Sequence, residues 1–247
     1  MTQLAQIGPQ SMKADFWHKR WKENQIGWHR QALNPMLEKW WKELGVTAAE
    51  PVLVPLAGKS LDLHWLQQQG HPVLGVELSE VAVKDFFAEA GLQAAQTQRQ
   101  NFECFTYKTF QLWQGDVFDL TAESLDEAVA HSGRWAWYDR AALVALPPAD
   151  RARYMKLMAE LMPSGSSGLL LTFEYPQHET DGPPFSVEEE EVRDLCAGAF
   201  DCRLLEREML LDPDHYPTAE ELAQKPNRYV EKGLSRASEA VFQLRRL

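Results

Sequence analysis

Four places along the chain combine residue types whose chemistry goes beyond scaffolding. The first is the short apolar run Pro51 to Leu56, the turn Ala57-Gly58-Lys59-Ser60 after it, and Glu77, which lies 19 positions beyond Gly58 at the end of the next apolar run. In α/β folds that bind nucleotides, this separation sets a carboxylate where two ribose hydroxyls can donate to it, and the glycine turn lets a ligand approach the backbone. An ordinary turn with a solvent-exposed Glu77 satisfies the same pattern. The second place is Gly115-Asp116-Val117-Phe118. There Asp116 can accept from an exocyclic amine while the apolar neighbours pack on a ring, or it can simply cap a turn. The third is Tyr138-Asp139-Arg140, whose guanidinium at a strand end can hold an anion or a developing thiolate through a forked contact. The plain alternative is an Asp139–Arg140 pair that fastens the strand. The fourth is the helical stretch Asp15 to Trp21, where Trp17 and Trp21 are four apart and share a face, followed by Ile26-Gly27-Trp28-His29. Such a face either docks the helix or closes over a ligand as a lid.

Several readings fall away on the same residues. Gly58-Lys59-Ser60 supplies the end of a phosphate loop, but the opening glycine of that motif falls on Leu53. A dinucleotide fingerprint needs three glycines to seat a pyrophosphate on a helix start, and only Gly58 stands between Leu53 and Gln69. S-adenosylmethionine has no phosphate, so the shortage of glycines counts against NAD more than against it. Scattered histidines without Ser/His/Asp or ligand spacing leave hydrolase and metalloenzyme chemistry unsupported. The three cysteines, Cys104, Cys196 and Cys202, are widely spaced and read as reduced structural thiols. A net charge of -11 works against binding a phosphate backbone, and the run Glu188 to Glu191 within it reads as a solvated helix start. No apolar run reaches the roughly 18 residues that span a bilayer. The opening Met1 to Gln10 has neither a basic start nor a long apolar middle. These features lead to the expectation of a soluble cytoplasmic protein without a nucleic-acid or membrane partner; a monomer is expected, though none of these features bears on it.

These groups need strands and helices to position them, and from Pro51 onward short apolar runs alternate with helical patterns in the rhythm of βαβ units. Strands are expected over Pro51–Leu56, His71–Leu78, Phe110–Trp113, Arg134–Tyr138, Gly168–Phe173, Cys202–Met209 and near Ala240–Leu244. The helix Leu61–Gln69 is expected to turn Leu61, His64, Trp65 and Gln68 to one face. Ser79 caps the next, Glu80–Ala90, and Pro147-Pro148 interrupts a later one before Ala149–Met162. Leu92–Thr109 reads as an irregular segment or a hairpin, and the Asp/Pro-rich stretch 212–232 as an irregular excursion. No repeat or linker divides the chain, so residues 1–247 are read as one domain, with 1–50 as an N-terminal lid segment and 51–247 as the core.

Taken together, Phe16-Trp17-x-x-Arg20-Trp21, Ile26-Gly27-Trp28-His29, Val54-Pro55-Leu56-Ala57-Gly58-Lys59-Ser60, Gly75-Val76-Glu77-Leu78-Ser79 and Asp139-Arg140-Ala141-Ala142-Leu143-Val144-Ala145-Leu146 resemble the thiopurine S-methyltransferase family in its bacterial form. Gly182-Pro183-Pro184-Phe185 is similar to that family's loop after the fifth strand. The resemblance implies a doubly wound, mostly parallel, seven-stranded α/β sheet of the class I methyltransferases with an N-terminal helical lid. S-adenosyl-L-methionine is the implied cofactor. Trp17, Trp21, Leu56, Gly58, Glu77, the Asp116-Val117-Phe118 segment and Arg140 are then its surroundings, with Trp28, Arg140 and Phe185 toward the acceptor and Arg140 and Asp139 as catalytic residues. The implied acceptor is a thiol or thione on an aromatic heterocycle, with selenium and tellurium compounds also associated with the family. Pro55 stands where many methyltransferases carry an acid, as is typical of this family, while 212–232 departs from its pattern. The expected reaction is in-line methyl transfer to sulfur. Rival readings are methyl transfer to oxygen or nitrogen, with His29 or Asp139 as base, and a catalytically silent module that binds the cofactor.

Overall fold

The computed structural model describes residues 9–129 and 133–247, so the opening of the Met1–Gln10 stretch lies outside the described residues. Helix α1 (Pro9–Lys22) leads through a loop to α2 (Pro35–Trp40), whose first amide donors are met by the Asn34 side chain, which accepts from the Met36 amide at 2.9 Å. Then come β1 (Val52–Pro55), α3 (Asp62–Gln68), β2 (Val73–Glu77), α4 (Glu80–Glu89), β3 (Ala95–Arg99), β4 (Phe102–Tyr107) and β5 (Phe110–Gln114). The second half runs through α5 (Ala122–Ala128), β6 (Ala136–Asp139), α6 (Pro148–Leu161), β7 (Ser167–Glu174) and α7 (Glu189–Cys196). It ends with β8 (Phe200–Leu211), the short helices α8 (Ala219–Gln224) and α9 (Arg228–Glu231), and β9 (Ala237–Arg246).

The strands form one sheet in the order β3-β4-β5-β2-β1-β6-β7-β9-β8. Its centre, β5-β2-β1-β6-β7, is parallel, and β9 runs antiparallel between β7 and β8. All seven expected strands are present, and the sheet reaches nine because Leu92–Thr109 supplies the β3–β4 hairpin, which adds antiparallel to β5. Strand β3, Ala-Gln-Thr-Gln-Arg, is largely exposed, as suits an edge. In contrast, β1 and β2 are buried at every position because helices cover both faces, which is why their residues run apolar without alternation. Two apolar layers result, one around Trp113, Trp137, Tyr154 and Phe242, the other around Leu37, Trp41, Leu63, Phe86 and Phe110.

Three local expectations are corrected. Helix α3 buries Asp62, Leu63 and Leu66, whereas Leu61 is 40% exposed, so its inner face is offset from the one read in the sequence. Between Arg140 and the prolines there is a single 3-10 turn, Leu143–Ala145, and the longer helix starts at Pro148 itself, where a missing amide hydrogen costs nothing. The 212–232 excursion carries α8 and α9, started by Thr218 and Asn227 caps. Glu188 to Glu191 do start α7 as expected, but Glu188 pairs with Arg236, Glu189 with Arg193 and Arg207, and Glu191 with Arg151. The three cysteines are free, with Cys104 and Cys196 buried. Among the described residues, no helix is long and apolar enough to cross a membrane, and no group of His, Cys, Asp and Glu could hold a metal ion.

The chain crosses from β1 to β2 on one side and later returns to add β6 on the other. Open α/β sheets bind ligands in the crevice beyond the carboxyl ends of the strands at such a reversal. Leu56, Glu77, Gly115 and Arg140 immediately follow or close β1, β2, β5 and β6.

Candidate active site

A cavity of about 520 Å³ opens at these strand ends, walled mainly by apolar and aromatic groups. Trp17, Trp21, Trp28, Leu56, Gly58, Glu77, Asp116, Val117, Phe118, Arg140 and Phe185 all line it. Asp139 does not.

The wall at β1 is a turn in which Leu56 adopts φ 48° and Gly58 φ 55°. A left-handed conformation at a leucine costs of order 1 kcal/mol or more, and it turns the backbone toward the crevice. The Glu77 carboxylate crosses to this turn: Oε2 accepts the Gly58 amide at 2.8 Å and Oε1 accepts the Ser79 amide at 2.7 Å. Glu77 is only 6% exposed, so the solvent-exposed alternative is ruled out. Burial pushes its carboxyl up to about 6, against the opposing pull of the backbone amides. Ser79 starts α4 just beyond, accepting the Ala82 amide at 3.4 Å.

Above the turn sits α1. A Cβ on Gly58 would lie 3.2 Å from Trp21 Cζ2, so this glycine is required both by its backbone and by the indole resting on it. Trp28 meets Trp17 and Trp21 edge to face, with centroids 5.2 and 5.9 Å apart, and the three indoles form one aromatic wall. On the β5 side, Asp116 Oδ1 accepts the Phe118 amide at 3.0 Å and starts a 3-10 turn, Val117–Asp119, while the Arg153 guanidinium lies 4.0 Å from the Phe118 centroid. Asp116 is therefore a cap that also faces the cavity. Phe185 is held by its amide, which donates to the Val144 carbonyl at 2.7 Å.

Arg140 Nη1 donates to the Trp28 carbonyl at 3.2 Å, and its Nε lies 3.7 Å from Asp62 Oδ2. The expected Asp139–Arg140 pair does not form. Asp139 turns into the protein, where it accepts the Ala142 and Leu143 amides at 3.0 and 3.2 Å and the Tyr154 hydroxyl at 2.7 Å. Burial pushes its carboxyl up to about 6, with the Tyr154 hydroxyl pulling the other way. Its oxygens are committed to the fold, so a catalytic role for Asp139 is not what the geometry supports.

Sequence reasoning missed Asp62, Lys59 and the position of His29. The sequence signal at Asp62 is only that of an acid in a first helical turn, which ordinarily means a dipole contact. Lys59 is 8% exposed and sits 2.6 Å from Glu89 and 3.2 Å from Asp85; burial pulls its pKa down, but those hydrogen bonds outweigh it. A lysine so neutralised is no phosphate cradle. His29 lines the cavity, and burial followed by the charge of Lys59 lowers its pKa, which favours the neutral imidazole.

The thiopurine S-methyltransferase family model matches residues 12–243. The chain belongs to that family. Among relatives, the thiopurine S-methyltransferase of Pseudomonas paraeruginosa is 46% identical over 235 residues, spanning 95% of this chain and 100% of the relative. That of Pseudomonas fluorescens is 42% identical over 233 residues, or 94% and 97% of the two chains. Two solved structures share the fold. The 1,6-didemethyltoxoflavin-N1-methyltransferase of Burkholderia thailandensis, solved with S-adenosylhomocysteine, is 16% identical with a TM-score of 0.56 over 99% of this chain and 93% of that one. A SAM-dependent methyltransferase from Anabaena variabilis is 11% identical with a TM-score of 0.60 over 95% of each chain. As a member of the thiopurine S-methyltransferase family, the chain is an enzyme that uses S-adenosylmethionine as methyl donor.

Proposed function

We propose that this member of the family transfers the methyl group of S-adenosylmethionine to the sulfur of an aromatic or heterocyclic thiol, with selenium and tellurium compounds as further acceptors. One observation carries the reading: a buried carboxylate at one strand end, Glu77, and a guanidinium at another, Arg140, face a single cavity whose remaining walls are mainly apolar, with three tryptophans among them.

The residues fit the cofactor. The Glu77 oxygens each spend one lone pair on a backbone amide, which leaves acceptor capacity for a ribose diol, and the Leu56–Gly58 turn brings backbone rather than side chain to the wall. Asp116 with Val117 and Phe118 suits an adenine amine and ring, while Trp17, Trp21 and Arg140 surround the rest. When bound, the cofactor supplies an electrophilic methyl group on a sulfonium. The chain's own contribution is to bind, align and exclude water. Arg140 holds the acceptor as its anion. A thiol of low pKa is already largely thiolate near pH 7, so no dedicated base is needed, and alignment alone can supply about 7 to 11 kcal/mol in favourable cases. Trp28 and Phe185 flank the acceptor. Residues 1–50 act as a lid on the core 51–247 within one domain, supported by the packing of Trp21 on Gly58. We read the enzyme as a cytoplasmic monomer without a nucleic-acid partner, in keeping with a net charge of -11.

A methyl-transfer panel of aromatic thiols, selenols, phenols and amines tests the reading. Turnover is expected on the thiols, falling sharply in R140A. Preference for phenols or amines would instead favour an oxygen or nitrogen acceptor, with His29 as base, and cofactor binding without turnover on any thiol would point to a silent module.

A further inference from the structure

The carboxylate nearest Arg140 comes from a different helix. Asp62, on the first turn of α3, is 1% exposed and faces three donors, one from the loop before α2 and two from the end of β6. Its Oδ1 accepts the Asn34 amide at 2.9 Å, its Oδ2 accepts the Tyr138 hydroxyl at 3.0 Å, and Arg140 Nε stands 3.7 Å away. Arg140 in turn holds the Trp28 carbonyl. The ion pair therefore grips both ends of the segment from Trp28 to Asn34, one end by the arginine and the other by the aspartate.

We propose that Asp62 is a positioning residue for methyl transfer: its carboxylate aims the Arg140 guanidinium at the acceptor and locks that aim to the docking of the N-terminal segment. The proposal rests on Arg140 acting on the acceptor. An arginine on its flexible stem stabilises a developing anion only if its plane is fixed beforehand, because ordering it later costs entropy. A close bidentate pair would fix it but would spend the donors meant for the ligand. A contact at 3.7 Å through Nε orients the group and, with Nη1 on the Trp28 carbonyl, leaves Nη2 for the acceptor; among the described residues Arg140 makes no hydrogen bond or ion pair beyond Trp28 and Asp62. Asp139, its neighbour in sequence, cannot serve, since Tyr154 and two amides occupy it. Tyr138 completes the device by holding Asp62 from the sheet side, so the carboxylate is fixed before the arginine meets it.

The test is a double-mutant cycle on the full-length enzyme. D62N keeps an oxygen for the Asn34 amide and an amide group for the Tyr138 hydroxyl while removing the charge. Acceptor kcat/KM is read with an aromatic thiol at saturating S-adenosylmethionine, beside S-adenosylhomocysteine affinity by calorimetry and Tm. D62N should lower thiol kcat/KM about tenfold while moving product affinity by less than about threefold, and it should have no further effect in the R140A background. Equal fold losses in both backgrounds would overturn the proposal, as would parent kinetics in D62N. If R140A alone transfers methyl at the parent rate, the acceptor reading itself fails, and that result is distinct from additivity. D62E guards against a folding failure. It keeps the charge but overfills a buried site, so it should be more active than D62N yet no more stable; an activity order that merely follows the order of Tm would overturn the proposal.

Discussion

Glu77 closes β2 and Asp139 closes β6, both buried carboxylates at the carboxyl ends of parallel strands, and both pushed up to about 6 by burial. Their surroundings nevertheless divide them. Glu77 has only backbone amides as partners and lies on the cavity wall. Asp139 also takes the fully buried Tyr154 hydroxyl and is turned away from the cavity. The contrast teaches that the position of a strand-end acid at a topological switch point does not decide whether it faces the crevice; its partners do. A perturbed pKa does not discriminate between the two, because desolvation produces it in either place.

The largest effect that separates them is on stability. D139A strands the Tyr154 hydroxyl and two amides in the core, and each buried unsatisfied group costs about 1 to 3 kcal/mol. A loss of roughly 3 to 5 kcal/mol is expected, lowering Tm by about 6 to 15 °C for a chain of this size, while product affinity of the folded fraction stays near the parent's. Calorimetry on both axes checks it, and a D139A protein of parent Tm that had lost methyl transfer would return Asp139 to the chemistry. E77A is the mirror image. Losing hydrogen bonds to a charged group costs about 1.5 to 3 kcal/mol each, so S-adenosylhomocysteine should bind roughly tenfold more weakly or worse, beside a loss of Tm no larger than in D139A from the two amides left unpaired.

How far these roles were legible follows from what each depends on. The parallel core could be read because buried central strands are short and β-rich, and Glu77 because its distance from Gly58 is set by one βα unit. The cavity residues Trp17, Trp21 and Trp28 were legible from helical spacing and from the family resemblance together. The inward turn of Asp139 was not legible because adjacency to Arg140 says nothing about which way two successive strand-end side chains point; in extended backbone they point to opposite faces. Asp62 was invisible because its partners, Asn34 on one side and Tyr138 with Arg140 on the other, lie far from it in sequence in two separate regions, and the face of α3 was itself misread. The β3–β4 hairpin was ambiguous because an edge strand rich in glutamine and threonine lacks the apolar signal of its neighbours.

Two finer changes sharpen the comparison. G58A places a methyl group 3.2 Å from Trp21 Cζ2 at a residue with φ 55°. Strain of about 1 kcal/mol is expected in Tm, together with a several-fold weaker cofactor affinity as the indole is displaced, whereas a surface Gly-to-Ala change would leave affinity alone. In unliganded protein, folding holds protons on both carboxyls that the unfolded chain has lost between about pH 4 and pH 6. Stability therefore falls as pH rises through that window and levels off above it. Saturating S-adenosylhomocysteine should cancel the Glu77 part of that slope and leave the Asp139 part, since a bound diol favours the ionised carboxylate. Thermal melts across the window, with and without ligand, in parent and E77Q, read the two parts separately.

The central claim, that Glu77 reads the cofactor as a carboxylate, is tested most directly by calorimetric titration of S-adenosylhomocysteine against pH in the parent and in E77Q. The parent should lose affinity as pH falls through about 6, approaching tenfold per pH unit below it, because protonation removes an acceptor the diol requires. E77Q should bind more weakly at pH 7.5 and show no such step. A parent step near pH 6 that persists unchanged in E77Q, or equal affinity of the two proteins at pH 7.5, would contradict the account.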